Sequence, residues 1–276
     1  MAAAAASLLA LAAVWLMGGA LSGPSRAVVG PPPPELNARA VEFGGGLRGW
    51  LLRGREGGGA VVLMHGVRAS RLQMLGRARF LQAAGYTVLL FDFQAHGESA
   101  GDNVTFGYLE SRNARAAVEF VRASAPGERV GVIGVSLGGA AAVLAEPPLD
   151  AQALVLELVY PTIEQAVADR LAMRLGRRAA VFGPLLTAQL RPRLGFGPEA
   201  LRPVARVGAL AAPKLFVAGA EDRHTTIEES RQLFAAAAEP KEFWPVEGAG
   251  HEDLHALLGR EYEQRILDFF GKHLRR

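Results

Sequence analysis

The chain has 276 residues, 50% of them hydrophobic and 21% charged, with a formal net charge of +3 and no cysteine. That apolar fraction excludes a mostly disordered chain, and the length accommodates one large domain or two small ones. The missing thiol excludes a disulfide framework, thiolate-held metals, iron–sulfur clusters, a cysteine nucleophile and a lipid-modified amino-terminal cysteine. Lys occurs only at Lys214, Lys241 and Lys272, so the positive charge is nearly all Arg. It does not form runs interleaved with aromatic residues, and no nucleic-acid partner is expected.

From Ala2 to Ser25 there is no charged side chain, and Leu8–Leu21 is strongly apolar. A segment of this length, at about 1.5 Å per residue, reaches across a ~30 Å hydrocarbon layer. Residues 1–25 therefore read as a membrane anchor or, given the small residues Ala20 and Ser22, as a cleaved signal peptide. The expected localisation is membrane-associated, with export as the alternative. Residues 26–37, with Pro31 to Pro34, read as a stiff linker.

Residues 38–276 alternate short apolar runs with helical patterns. Ala40–Phe43 and Leu47–Leu52, around Gly44 to Gly46, read as an edge hairpin. Strands follow at Val61–Met64, Tyr86–Phe91, Arg129–Val135, Leu154–Leu158, Lys214–Ala218 and Glu242–Val246. Helices are expected at Arg71–Ala84, Tyr108–Ala123, Leu137–Ala145, Ile227–Ala238 and Ala256–His273. This alternation predicts an α/β fold, a mostly parallel sheet with helices on both faces. Between Tyr160 and Pro213 the rhythm lapses, and Thr162–Leu175 and Ala179–Leu190 predict a small helical cap, at about residues 160–212. The cap is rich in Arg, from Arg170 to Arg206, and reads as a face toward an anionic membrane or an anionic substrate, with solvated helix faces as the plainer alternative.

The chemistry is carried by Gly134-Val135-Ser136-Leu137-Gly138, set between a predicted strand and an Ala-rich helix. A serine on such a turn projects its hydroxyl above the sheet, and only small neighbours avoid collision there. Ser136 is the expected nucleophile. It needs a base and an orienting acid, placed after it at the carboxyl ends of strands. Asp222 and His251 are the natural pair. Glu157 and Glu221 are the rival acids, and His255 and His224 the rival histidines. The oxyanion donors are expected at the N–H groups of Leu137 and Val67, with His65 bracing the loop that carries Val67.

These motifs resemble the α/β-hydrolase superfamily over about residues 38–276. They are Met64-His65-Gly66, Asp92–Ser99, Gly134–Gly138, Gly219–Asp222 and Gly248–His251. The segment Asp92–Glu110 is similar to the BEM46-like, serine-aminopeptidase-like branch. The resemblance implies an eight-stranded sheet with a lid between strands six and seven. It also implies hydrolysis of an ester, thioester or amide, with Ser136, Asp222 and His251 as triad and Asp92, His96, Gly97 and Ser99 in a structural loop. The function expected is that of a serine hydrolase cleaving a small or lipid-like carboxylic ester without metal or organic cofactor. A peptidase or a depalmitoylase-like thioesterase is the alternative, and a non-catalytic binding protein of the same fold is a third. An Asp at position 136 would have suited dehalogenase or epoxide-hydrolase chemistry; the Ser disfavours both.

Overall fold

The computed structural model describes residues 2–275, with side chains from residue 12 onward. Eight strands form one sheet: β1 Arg39–Phe43, β2 Leu47–Leu52, β3 Ala60–Met64, β4 Thr87–Phe91, β5 Val130–Val135, β6 Ala153–Glu157, β7 Lys214–Gly219 and β8 Lys241–Val246. Their spatial order is β8-β7-β6-β5-β3-β4-β2-β1. The hairpin β1–β2 is antiparallel to the rest, β2 pairs antiparallel with β4, and the other pairings are parallel. The strand order reverses between β3 and β5, the place where open α/β sheets put their sites.

The β3 run is buried at every position because both faces of the sheet are covered. Side chains alternate between two cores, as the pleat requires. Val62 and Met64 face helices α3 (Tyr108–Ser124), α4 (Leu137–Leu144) and α8 (Ile227–Ala236). Val61 and Leu63 face α2 (Leu75–Ala83) and α10 (Arg260–Leu274). Thr226 and Glu229 make a reciprocal capping pair at the start of α8.

The insertion between β6 and β7 holds α5 (Ile163–Leu175), α6 (Gly183–Thr187) and α7 (Leu190–Leu194) with several 3₁₀ turns. The second cap helix expected at Ala179–Leu190 is broken up, because Pro184 cannot continue a hydrogen-bonded helix and instead starts α6. The single helix expected at Ala256–His273 is also divided, into α9 (Leu254–Leu258) and α10. Gly259, with φ 52°, donates its N–H to His255 O at 2.9 Å and turns the chain between them.

Residues Ala2–Ser22 form helix α1. Among the described residues no helix is long and apolar enough to cross a membrane. The end of α1 packs against the cap instead of standing away from the body. Gln189 Nε2 donates to Val14 O at 2.9 Å, and the Arg193 guanidinium lies 3.7 Å from the centre of the Trp15 ring. The stretch expected to be a detached linker is likewise docked. Ser25 and Ala27 donate backbone N–H groups to Ala95 O and Gly97 O, and the Glu98 carboxylate accepts from Val29 and Gly30. Acceptors on the 92–99 loop, two backbone carbonyls and the Glu98 carboxylate, thus hold residues 25–30 ahead of the prolines.

A buried network ties the two sides of the site together. Arg77 on α2 donates to the Glu157 carboxylate at 2.7 Å, to Tyr262 Oη at 2.9 Å and to Asp253 at 2.8 Å. The Arg77 and Glu157 side chains are 1% and 0% exposed. Removing one partner strands a charge in a medium of low polarity. Arg77→Ala is expected to cost about 3–5 kcal/mol. Replacing Arg77 and Glu157 together by Met and Leu should restore part of that loss, as read from urea unfolding.

Candidate active site

The sheet delivers Ser136 at the carboxyl end of β5, on a turn with φ 50° and ψ −108°. A non-glycine residue with such a backbone stores about 1–3 kcal/mol and persists only where its surroundings enforce it. Here they do. A Cβ at Gly134 would lie 2.5 Å from Gly139 N, and one at Gly138 would lie 2.3 Å from Met64 O. Helix α4 therefore packs directly on β3 and β5, leaving the serine hydroxyl at the crest. Its side chain faces a cavity of about 580 Å³ between the sheet and the cap.

The loops after β7 and β8 bring the next two groups to the same place. The Ser136 hydroxyl lies 3.2 Å from His251 Nε2, and His251 Nδ1 lies 2.7 Å from Asp222 Oδ2. A buried carboxylate only accepts, so Nδ1 carries the proton and Nε2 is left as the acceptor of the Ser136 O–H. Asp222 is itself fixed, its Oδ1 accepting from the backbone N–H of His224 at 2.7 Å and of Thr225 at 3.1 Å. The His251 loop is held from beyond by Asp253, which caps α9 and pairs with Arg77. A hydroxyl joined in this way to an imidazole and a carboxylate is the arrangement that activates serine as a nucleophile.

The rival residues sit elsewhere. Glu157 is consumed by Arg77 and Tyr262. Glu221 is exposed, with its backbone bonded to Ala249. His255 lies on α9 with Nε2 3.0 Å from Glu263. His224 stacks obliquely near His251, with ring centres 4.9 Å apart. Asp222, His224 and His251 place potential metal-ligand atoms within 4.8 Å of one another. Both oxygens of Asp222 are already engaged, however, one by His251 and the other by backbone N–H groups.

Val67 and Leu137 both line the cavity. Among the described residues neither N–H is taken by a protein acceptor, which leaves two backbone donors free at the cavity wall. The loop bearing Val67 is pinned by Gln73 Oε1, which accepts from Gly66 N at 2.7 Å. His65 is wholly buried and braces the same loop. It accepts from Phe93 N at Nε2 and donates from Nδ1 to Gly66 O. Asp92 anchors the neighbouring loop, accepting from Arg71 and Glu98, while Ser99 Oγ donates to Asp92 O at 2.6 Å.

A model of the alpha/beta hydrolase family matches residues 61–264. The chain belongs to that family. Two relatives extend the placement of this alpha/beta hydrolase. It is 32% identical over 229 residues to Rv2307c of Mycobacterium tuberculosis, covering 80% of this chain and 74% of that one. It is 20% identical over 231 residues to YqkD of Bacillus subtilis, covering 82% of this chain and 76% of that one. The fold is similar to that of the esterase PF2001 from Pyrococcus furiosus, with a TM-score of 0.74, 23% identity and coverage of 92% and 98%. It is also similar to dienelactone hydrolase from Anabaena variabilis, with a TM-score of 0.61, 22% identity and coverage of 87% and 99%.

Sequence reasoning did not find the Arg77 network or the wall that α1 contributes to the cavity through Met17, Gly18 and Leu21. A lone Arg in a helix and an apolar leader carry no pattern that names their distant partners.

Burial pushes the His65 pKa down from 6.5 to about 3, so the folded chain holds this ring neutral. As pH falls from 6.5 toward 3, the unfolded chain takes up a proton that the folded chain refuses, and stability drops by about 1.4 kcal/mol per pH unit from this group alone. In His65→Gln that contribution is absent. The stability gap between wild type and variant, followed by urea unfolding across this range, should therefore narrow as the solution is acidified.

Proposed function

We propose that this alpha/beta hydrolase is a serine hydrolase that cleaves a carboxylic ester through an acyl-enzyme. The observation that carries this reading is the continuous hydrogen-bonded line from Ser136 through His251 to Asp222 at the mouth of the cavity. In the reaction, Ser136 Oγ attacks the ester carbonyl as its proton passes to His251 Nε2. Asp222 holds the imidazole in the required tautomer and balances the charge that forms. The N–H groups of Val67 and Leu137 receive the oxyanion. The tetrahedral adduct collapses as His251 gives the proton to the departing alcohol, leaving an acyl-Ser136. Water, deprotonated by the same His251, then attacks the acyl carbonyl; the acid leaves and the serine regains its proton. No step asks for a metal or organic cofactor. Family likeness and the esterase among the solved neighbours agree with this reading. Within the family we propose the BEM46-like branch, on the likeness of the segment Asp92–Glu110.

A fluorophosphonate probe should label the wild type and leave Ser136→Ala unlabelled. On a ladder of 4-nitrophenyl esters, Ser136→Ala is expected to lose about 10⁴–10⁶-fold in kcat, and Asp222→Asn about 10⁴-fold. A folded wild type that neither labels nor turns over any ester would overturn the assignment, and preferential turnover of a peptide amide or a thioester would move it to those bonds.

We also place the chain at a membrane surface through α1 and the cap. Leu16, Val181 and Phe182 are exposed apolar side chains, α1 packs on α6, and Arg177 and Arg178, which have no ion pair among the described residues, adjoin Val181 and Phe182 in the chain. Apolar anchors flanked by arginine suit a bilayer interface bearing anionic headgroups. Flotation with vesicles containing phosphatidylglycerol should recover the wild type, with Phe182→Asp recovered several-fold less. Equal recovery of both, or none of the wild type, would remove the membrane from the account.

A further inference from the structure

Three of the cap arginines are neutralised: Arg191 pairs with Glu199, Arg202 with Glu164 and Arg206 with Glu146. Arg170 and Arg174 are one helical turn apart on α5 and line the same cavity as Ser136 and His251. Among the described residues neither has a carboxylate within ion-pairing distance. Among the described residues the one side-chain hydrogen bond of Arg170 runs from Nη1 to Ala166 O at 2.9 Å, within its own helix.

This is a costly arrangement. Guanidinium stays charged at every accessible pH, and for Arg170 the hydration lost on burial is offset in part by the more distant carboxylates of Asp222 and Asp169. Burial duly presses the Arg170 pKa below its ordinary value. Both guanidinium groups also act on His224, beside the triad, and help to lower its pKa, although burial of that ring is the larger cause. The cavity's other charged groups are occupied. Arg68 donates to Ala20 O and Leu21 O, Arg193 to Gln189 and Trp15 O, Asp253 binds Arg77, and the Glu252 carboxylate accepts from Gly250 N. The remaining wall is mostly apolar. Along α5, Ile163, Ala166 and Val167 are followed by Arg170 and Arg174 set among Leu171 and Leu175, so the cationic groups sit at one end of an aliphatic helix face.

We propose that the substrate is an ester with an apolar body and an anionic group, a carboxylate or a phosphate, and that Arg170 and Arg174 bind that group while the ester carbonyl sits at Ser136. The inference rests on the serine-hydrolase reading and specifies its substrate class. A planar guanidinium presents paired N–H donors to two oxygens of an oxyanion, and that contact discriminates against a neutral analogue. The anion can belong to the acyl side or to the alcohol side of the ester; both present the same chemistry to the two arginines.

Two matched substrate pairs separate those sources. On the acyl side, the mono-4-nitrophenyl ester of suberic acid is compared with its methyl-capped diester. On the alcohol side, a 1-acylglycerol 3-phosphate is compared with the same 1-acylglycerol. In at least one pair the anionic member should show a kcat/KM at least tenfold higher, and the ratio should fall as salt rises. Arg170→Gln and Arg174→Gln should each lower that ratio tenfold or more. Arg170→Lys should keep part of it, and Arg174→Glu should depress it furthest. Arg174 is exposed, so its variants keep the test decisive where an Arg170 variant fails to fold. Wild type that hydrolyses the neutral esters at Ser136 but prefers neither anionic member overturns this inference alone, as does a ratio that the Arg174 variants leave unmoved. Wild type that hydrolyses no ester and takes up no fluorophosphonate overturns the serine-hydrolase reading, and this inference with it.

Discussion

The structure depends on the sharp turn by which β5 becomes α4. Three glycines, at 134, 138 and 139, let the helix return against β3 and β5 at distances that no Cβ would allow, and the reward is a serine held at a positive φ on the crest of the sheet. The strain at Ser136 is sustained by the most buried part of the molecule. β3 and β5 are fully enclosed between two cores, and their register fixes where the crest lies. Every other part of the site is positioned relative to that point, since the loops after β3, β7 and β8 all end at the same edge of the sheet.

Loops alone would hold those groups loosely, and the chain compensates with buried polar networks on either side. On one side Arg71, Asp92 and Glu98 fix the loops that flank the Val67 donor, with His65 neutral beneath them. On the other side Arg77 joins the end of β6, helix α10 and the cap residue of α9, and so reaches the segment two residues beyond His251. These charges are tolerated inside because each is paired and further hydrogen-bonded. Arg170 and Arg174 depart from that pattern: they line the cavity, and among the described residues neither has a carboxylate at ion-pairing distance. That contrast is the ground on which a ligand is proposed for them.

Much of the fold was legible in the sequence. Apolar runs of five or six residues, separated by helical patterns and glycine turns, gave the eight strands their places to within a residue or two. Parallel strands buried on both faces carry a signal that does not depend on distant contacts. The cap was less legible, because its short helices are ended by Pro184 and by glycines, and such breaks decide boundaries that periodicity cannot. The docking of residues 25–30 was hidden for another reason: it uses backbone N–H groups, which every residue but proline possesses. The rival acid Glu157 shows the same limit from the opposite direction. Its place at the end of a strand made it a candidate, and only the arrival of Arg77 and Tyr262 from distant segments removed it.

The sequence by itself determined the fold class, the serine on its turn, and the order in which serine, acid and histidine follow one another, because strand burial and tight-turn sterics are local and written in consecutive residues. The tertiary structure decided which carboxylate holds His251, which arginines are neutralised and which stand open to the cavity, and that α1 closes one wall of it. Those outcomes turn on pairings between groups separated by tens to hundreds of residues, where distance and burial, rather than residue type, set the energy of each contact.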